Sequence, residues 1–234
     1  MAERRVPVSG GPVPVLAIDG PGGAGKGTIS RLVAERLGWN LLDSGALYRL
    51  VALDAMSRGT ALDDEAAVAQ LAAVLDARFA GDRDGTRVFL NGADVTGDIR
   101  SESAGEGASR VAALPAVRSA LVGRQRAFRQ SPGLVADGRD MGSVIFPDAG
   151  LKVFLTASTA ERARRRHKQL KEKGIDVSLT ALSRDMAERD RRDSERAIAP
   201  LKPSDDARVL DTTGMDIPDV VSTVLAWAEA TWTT

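Results

Sequence analysis

The chain has 234 residues, 43% of them hydrophobic and 27% charged, enough apolar material for one large domain with a buried core and too much for an intrinsically disordered chain. Lys plus Arg and Asp plus Glu number 32 each, so no global cationic field is available to hold a nucleic acid or an anionic membrane. Cys is absent, which excludes disulfides and thiol catalysis.

Residues 1–12, rich in Gly, Pro and charge, read as a flexible tail, and the two arginines near its start precede no apolar run of the kind a secretory leader needs. No stretch approaches the roughly 18 consecutive apolar residues of a membrane-spanning helix. We therefore expect a cytoplasmic protein without a membrane partner. The folded part, 13–234, reads as a single domain. It opens on the apolar run 13–19, and similar short runs recur at 39–43, 134–137, 151–156 and 207–211. Near-continuous apolar runs of this length suit parallel strands buried on both faces. Helical periodicity lies between them, at about 26–37, 45–58, 115–130, 158–173, 178–196 and 216–231. Strands alternating with helices predict an α/β fold: a five-stranded parallel sheet flanked by helices and joined by right-handed crossovers.

One region breaks the alternation. Between Ala77 and Thr96, Asp84-Gly85 and Asn91-Gly92 are hairpin-turn dipeptides flanking Val88, Phe89 and Leu90. That predicts a small antiparallel β insertion, about 61–100, between the second and third core strands. It is either a surface excursion or an accessory subdomain beside a ligand cleft.

The first apolar run leads directly into Gly20-Pro21-Gly22-Gly23-Ala24-Gly25-Lys26-Gly27-Thr28, and a helical pattern follows at once. Strand, glycine loop and helix in this order are the context a P-loop requires. Successive backbone N–H groups converge on phosphate oxygens where no Cβ intervenes, the helix N-terminus adds positive partial charge, and Lys26 neutralises the β- and γ-phosphates as a point charge. The general pattern places Ser or Thr directly after the Lys. Here Gly27 intervenes and the hydroxyl is delayed to Thr28, so Mg²⁺ is expected to be held by phosphates and waters, with no protein metal ligands.

A P-loop serves hydrolytic switches as well as kinases, so the remaining motifs decide. An Asn-Lys-x-Asp guanine-reading element is absent. The second apolar run ends in Asp43-Ser44-Gly45-Ala46-Leu47-Tyr48-Arg49, where Ser44 and Arg49 either meet one phosphate or are a helix cap and a surface arginine. The third ends in Asp137-Gly138-Arg139-Asp140-Met141-Gly142, a turn with two carboxylates around one arginine, or a structural Asx turn. In the helix near 178–196, Arg189, Arg192, Asp193 and Arg196 share one face, as a ligand-binding set or as a solvated i,i+4 pair. Arg162, Arg164, Arg165 and Arg166 form a run in the preceding helix, of which only some face a ligand.

Together IDGPGGAGKGT, LLDSGALYR, ADGRDMG and ERDRRDSERAIAPL resemble the bacterial cytidylate kinases, a branch of the nucleoside monophosphate kinases, and the likeness runs over nearly the whole chain from Val13. The resemblance implies a P-loop kinase fold with a helical lid at about 158–200. It implies an enzyme that transfers the γ-phosphoryl of ATP, with Mg²⁺, to CMP or dCMP. Gly20 to Thr28 would hold the donor, with Arg162 and Arg166 on the ATP side. Ser44, Arg49, Arg139 and Arg196 would hold the acceptor phosphate, Arg189 with Asp193 its ribose, and Ser109, Arg118 and Asp140 the base. Lys26, Arg139, Arg189 and Arg196 would be the catalytic cations. Small nucleotides are the expected partners of a monomer. A UMP/CMP kinase or an adenylate kinase is the alternative within the class, and a regulatory P-loop switch or an RNA-binding module the alternative outside it.

Overall fold

The computed structural model describes residues 11–82, 85–172 and 174–232. In chain order, strand β1 (Val15–Asp19) runs through the glycine loop into helix α1 (Lys26–Leu37) and then β2 (Asn40–Asp43). Next come α2 (Ser44–Ser57), α3 (Glu65–Ala73), the strands β3 (Ala77–Asp82), β4 (Gly85–Leu90) and β5 (Ala93–Asp94), a 3-10 turn (Asp98–Arg100), α4 (Glu102–Val111) and α5 (Pro115–Arg126). The chain continues with β6 (Leu134–Gly138), a π-helical turn (Met141–Ile145), β7 (Leu151–Thr156), α6 (Thr159–Glu172), α7 (Leu179–Ser194), β8 (Arg208–Asp211) and α8 (Ile217–Trp232). Two compact units result: 44–125, and the remainder of the chain on either side of it.

The larger unit is built on a five-stranded sheet in the order β2-β6-β1-β7-β8, every pairing parallel. Central β1 pairs with β6 and β7, and Ile18 stands opposite both Asp137 and Val153. Val15, Leu16, Ala17 and Ile18 are wholly buried. That is why β1 shows no polar position until its last residue, Asp19. Leu16 and Ile18 share one core with Ile29 and Val33 of α1 and with Val220 and Val224 of α8, each large side chain contributing roughly 1.5–3 kcal/mol through burial. Trp39 meets Trp232 edge to face at 4.8 Å between centroids, an aromatic contact worth about 0.5–1.5 kcal/mol beyond its area, which pins the end of α8. Since all five strands point the same way, Asp19, Asp43, Asp137 and Asp211 fall at or next to one rim of the sheet, the carboxyl end at which open α/β folds bind ligands.

The smaller unit carries the expected antiparallel insertion, in the order β3-β4-β5. Asn91 and Gly92 both take positive φ, 50° and 82°, as a hairpin turn requires, and the Asn91 amide donates to Asp54 Oδ1 at 2.8 Å. Asp84 of the other expected turn lies outside the described residues, as do Lys173 and residues 1–10 of the expected tail.

The structure corrects the sequence reading at three places. Helices α3 and α4 were not expected, because α3 is short and α4 contains Gly105 and Gly107, each costing about 1 kcal/mol in a helix interior. Packing overrides that cost: a Cβ at Gly107 would stand 2.9 Å from the Ala52 methyl of α2, so glycine is what lets the two helices touch. Side-chain caps also start both helices, Asp64 accepting from the Ala67 N–H and Ser101 from the Ala104 N–H, each at 3.1 Å. The helix expected over 115–130 ends at Arg126. After β6, the turn expected at 137–142 continues into the π-helical Met141–Ile145. Among the described residues no helix is long and apolar enough to cross a membrane.

Candidate active site

The glycine loop leaves β1 at Gly20, whose φ of 147° belongs to glycine, and a Cβ there would lie 2.0 Å from the Leu155 carbonyl oxygen of β7. No side chain fits. Gly25, at φ 89°, precedes α1 without any side-chain cap, which leaves the helix's first N–H groups available to an anion. Lys26 is only 6% exposed and its Nζ donates to the Pro21 carbonyl at 3.0 Å. The loop is thus folded back over its own lysine.

Around Lys26 the larger unit gathers buried charges. Asp19 accepts the N–H groups of Met141 and Gly142, both at 2.8 Å, so the π-helical turn is fastened to the end of β1. Burial nevertheless pushes the Asp19 carboxyl up to about 6, against those two hydrogen bonds and the Lys26 charge. Burial likewise raises Asp137, with Lys26 opposing, and depresses Lys26, with Arg139 and Arg189 adding to the depression and Asp137 opposing it. Arg139 Nε binds Asp193 Oδ2 at 3.1 Å. Burial would raise Asp193, but Arg139, Arg189 and Arg196 together hold it below the usual carboxylate range. Arg196 Nε donates to the Asp193 carbonyl at 3.2 Å. A Cβ at Gly22 would lie 3.6 Å from an Arg139 guanidinium nitrogen and 4.0 Å from the Arg189 guanidinium, so these two arginines flank the glycine loop.

Asp19 makes the unliganded protein pH-sensitive. Between its ordinary value of 3.8 and about 6 the folded chain retains a proton that the unfolded chain has released, so this group's contribution to stability falls as pH rises through that window. Asp19→Asn cannot titrate. Urea unfolding of the protein between pH 4 and 6.5 should therefore show wild type losing stability relative to the variant as pH rises, and parallel curves would remove Asp19 from that titration.

Of the residues singled out in the sequence, Gly20, Pro21, Gly22, Gly23, Ala24, Gly25, Lys26, Gly27, Thr28, Arg139, Asp140, Arg162, Arg166, Arg189, Asp193 and Arg196 belong to the larger unit. Asp140 is buried and its carbonyl accepts from Val144 and Ile145, starting the π-helical turn. Arg162 is buried against the loop and donates to the Gly22 carbonyl at 3.0 Å. Arg166 reaches along its own helix to Gln169 Oε1 at 3.3 Å. Ser44, Arg49, Ser109 and Arg118 belong to the smaller unit. Ser44 is the buried first residue of α2, and Arg49, farther along that helix, donates to the carbonyls of Ile99 and Ser101 at 2.8 and 3.2 Å. Ser109 is buried on α4; Arg118 on α5 donates to the Ala112 carbonyl at 3.4 Å, its guanidinium 5.9 Å from the Tyr48 ring centroid.

Three participants escaped the sequence reading. Asp19 looked like the end of a buried strand, although a carboxylate closing a wholly apolar run is itself a signal. Arg165 was lost in its arginine run; it binds Thr212 Oγ1 at 3.1 Å and the Thr212 carbonyl at 2.6 Å, at the edge of the loop beside Gly25. Asp190, which pairs with Arg162, carried no signal at all.

The family model described as cytidylate kinase matches residues 16–230. The chain is 63% identical to the cytidylate kinase of Pseudomonas paraeruginosa over 93% of its own length and 96% of the relative's. It is 57% identical to that of Aeromonas salmonicida over 92% and 94%, and 58% identical to that of Bordetella bronchiseptica over 94% and 97%. A solved structure of an uncharacterized protein from Eubacterium ventriosum is similar in fold alone, with a TM-score of 0.50 at 12% identity over 93% of this chain and 98% of that one.

Proposed function

We infer the working of this site from the premise that the chain belongs to the cytidylate kinase family. It is a nucleoside monophosphate kinase that transfers the γ-phosphoryl of ATP to CMP or dCMP, giving ADP and CDP or dCDP. The observation in the structure that carries this reading is the glycine loop with buried Lys26, flanked by Arg139 and Arg189. The attacking phosphate is already an oxyanion and needs no general base. What the protein must supply is in-line positioning and positive charge where the phosphoryl passes.

In our proposal the loop N–H groups from Gly20 to Thr28 and Lys26 hold the triphosphate, with Arg162, bound to the loop carbonyl of Gly22, and Arg166 on the ATP side and Arg165 beside them. Ser44, Arg49, Arg139 and Arg196 hold the acceptor phosphate, Arg189 and Asp193 the ribose, and Ser109, Arg118 and Asp140 the base. Arg139, Arg189 and Arg196, with Lys26, also meet the phosphoryl in transit. The insertion at about 61–100 serves the acceptor, and α6 and α7 form a lid that excludes water. Mg²⁺ fits the donor chemistry: a Cβ at Gly27 would lie 3.5 Å from a carboxylate oxygen of Asp137, near the end of β6, and Thr28, exposed, is the next residue of the loop. A cation that keeps most of its waters suits such a site, with Thr28 and Asp137 holding its water shell. When bound, it neutralises the β- and γ-oxygens. We propose a monomer acting on small nucleotides in the cytoplasm; its balanced charge offers no field to a nucleic acid or an anionic membrane.

The decisive assay is ADP release measured with CMP, dCMP, UMP, AMP and GMP in turn. Strong stimulation by CMP and dCMP is expected, and stimulation by none of them would end the kinase reading. Asp140 tests base selectivity. Cytosine offers an N4 amino donor that a carboxylate accepts, whereas uracil presents O4, acceptor to acceptor. Uracil N3–H would also face Arg118, donor to donor, and two buried mismatches of about 1–3 kcal/mol each predict at least a tenfold preference for CMP over UMP in kcat/KM. Asp140→Asn should narrow that preference, because a flipped amide donates to O4; an unchanged ratio would take Asp140 out of base recognition.

A further inference from the structure

Arg162 is 4% exposed, and its guanidinium is spent on the protein. Nε donates to the Ala157 carbonyl and Nη2 to Thr159 Oγ1, each at 3.0 Å, in the connection that leads into α6. Nη1 donates to the Gly22 carbonyl at 3.0 Å, and Nη2 also reaches Asp190 Oδ2 of α7 at 2.5 Å. Four of the five donors of an arginine thus go to three separate segments. Helix α7 rests on the same loop, since a Cβ at Gly23 would stand 2.6 Å from Met186 Cε and 3.1 Å from Arg162 Cβ.

The bond to Gly22 has a consequence for the loop. A trans peptide is planar, with C=O and N–H pointing in opposite directions, so a cation that holds the Gly22 carbonyl turns the Gly23 N–H away from itself. Lys26 does the same for the Gly22 N–H by holding the Pro21 carbonyl. Fixing these planes beforehand removes part of the ordering cost of binding a phosphate chain.

We propose that Arg162 is a positioning residue that ties α7 to the glycine loop through Asp190 and the Gly22 carbonyl, so that docking of α7 orders the N–H groups that receive ATP. Arg162 acts on the nucleotide through the loop rather than by touching it. The proposal rests on reading this loop as the ATP site, which CMP-stimulated ADP release by the wild type tests separately.

Asp190→Ala separates the two roles by sign. If Arg162 contacted the triphosphate directly, deleting a neighbouring carboxylate would release the guanidinium and reduce repulsion, and ATP would bind equally well or more tightly. If Arg162 works through the tie to α7, the same deletion loosens the loop. KM for ATP should then rise roughly threefold or more, as part of the cost of ordering the loop returns, while KM for CMP changes little. Inorganic tripolyphosphate, titrated calorimetrically, should lose affinity by a similar factor, because it meets the same N–H groups. Arg162→Lys places one ammonium where two acceptors must be bridged and should reproduce the loss. The double variant should add little to either single change, as expected of residues acting through one tie. Alanine is a good helix former and Asp190 is partly exposed, so Asp190→Ala is readable even if the Arg162 variant fails to fold. Unchanged or tighter binding of ATP and tripolyphosphate by Asp190→Ala, or additive losses in the double variant, overturns the proposal.

Discussion

Lys26→Ala is expected to lower kcat by about a hundredfold or more, some 2.7 kcal/mol of barrier, while the protein stays folded. The ammonium of Lys26 binds the loop's own Pro21 carbonyl and otherwise interacts through space with Asp19, Asp137, Arg139 and Arg189. None of these contacts belongs to the apolar core around Leu16 and Ile18, so the fold survives the change. Catalysis does not, because the charge developed on the transferred phosphoryl would lose the cation nearest the loop. Burial and the two arginines depress the Lys26 ammonium in the unliganded protein, and an arriving triphosphate reverses that balance by adding anions beside it. Single-turnover transfer from ATP to CMP, with circular dichroism as the check on folding, measures the effect; an unchanged rate in a folded variant would reject the assignment of Lys26.

Arg139→Ala should produce the next largest loss, a fall in kcat of roughly tenfold to a hundredfold from one charge-assisted hydrogen bond made in the transition state. Because Arg139 also neutralises buried Asp193, the variant should be less stable, with the remaining cost moderated by Arg189 and Arg196 on the same carboxylate. The two effects are separable. Arg139→Lys retains a positive charge and should recover part of the melting temperature, but a point charge cannot reproduce a planar fork that faces Asp193 and the loop at once, so kcat should stay low. Full recovery of kcat by lysine would show that charge alone is required. A loss confined to KM for CMP would limit Arg139 to holding the acceptor phosphate in the ground state and remove it from the phosphoryl in transit.

The parallel sheet was legible because a strand buried on both faces must be apolar along its whole length, and β1, β6 and β7 obey that rule to within two residues. The glycine loop was legible because a phosphate cradle needs glycines at positions where any Cβ would collide, as Gly20 does with the Leu155 carbonyl. The hairpin at Asn91-Gly92 was legible because its turn needs positive φ. Helix α4 was not, since its glycines disfavour a helix locally and are justified only by Ala52 on another helix. The π-helical turn was hidden for a similar reason: its first N–H groups are held by Asp19, more than 120 residues away in sequence.

By itself the sequence determined the alternating α/β order, the loop that receives phosphate and the residue types available to a kinase of this family, because each depends on periodicity, on backbone sterics or on a contiguous motif. The tertiary structure alone decided which charges meet. Nothing local distinguishes Arg162, with its partners Gly22 and Asp190, from Arg166, which reaches Gln169 further along the same helix. The two stand one turn apart on the same face of α6, and only the packing of the loop and of α7 against the first turn of that helix sets what each can reach.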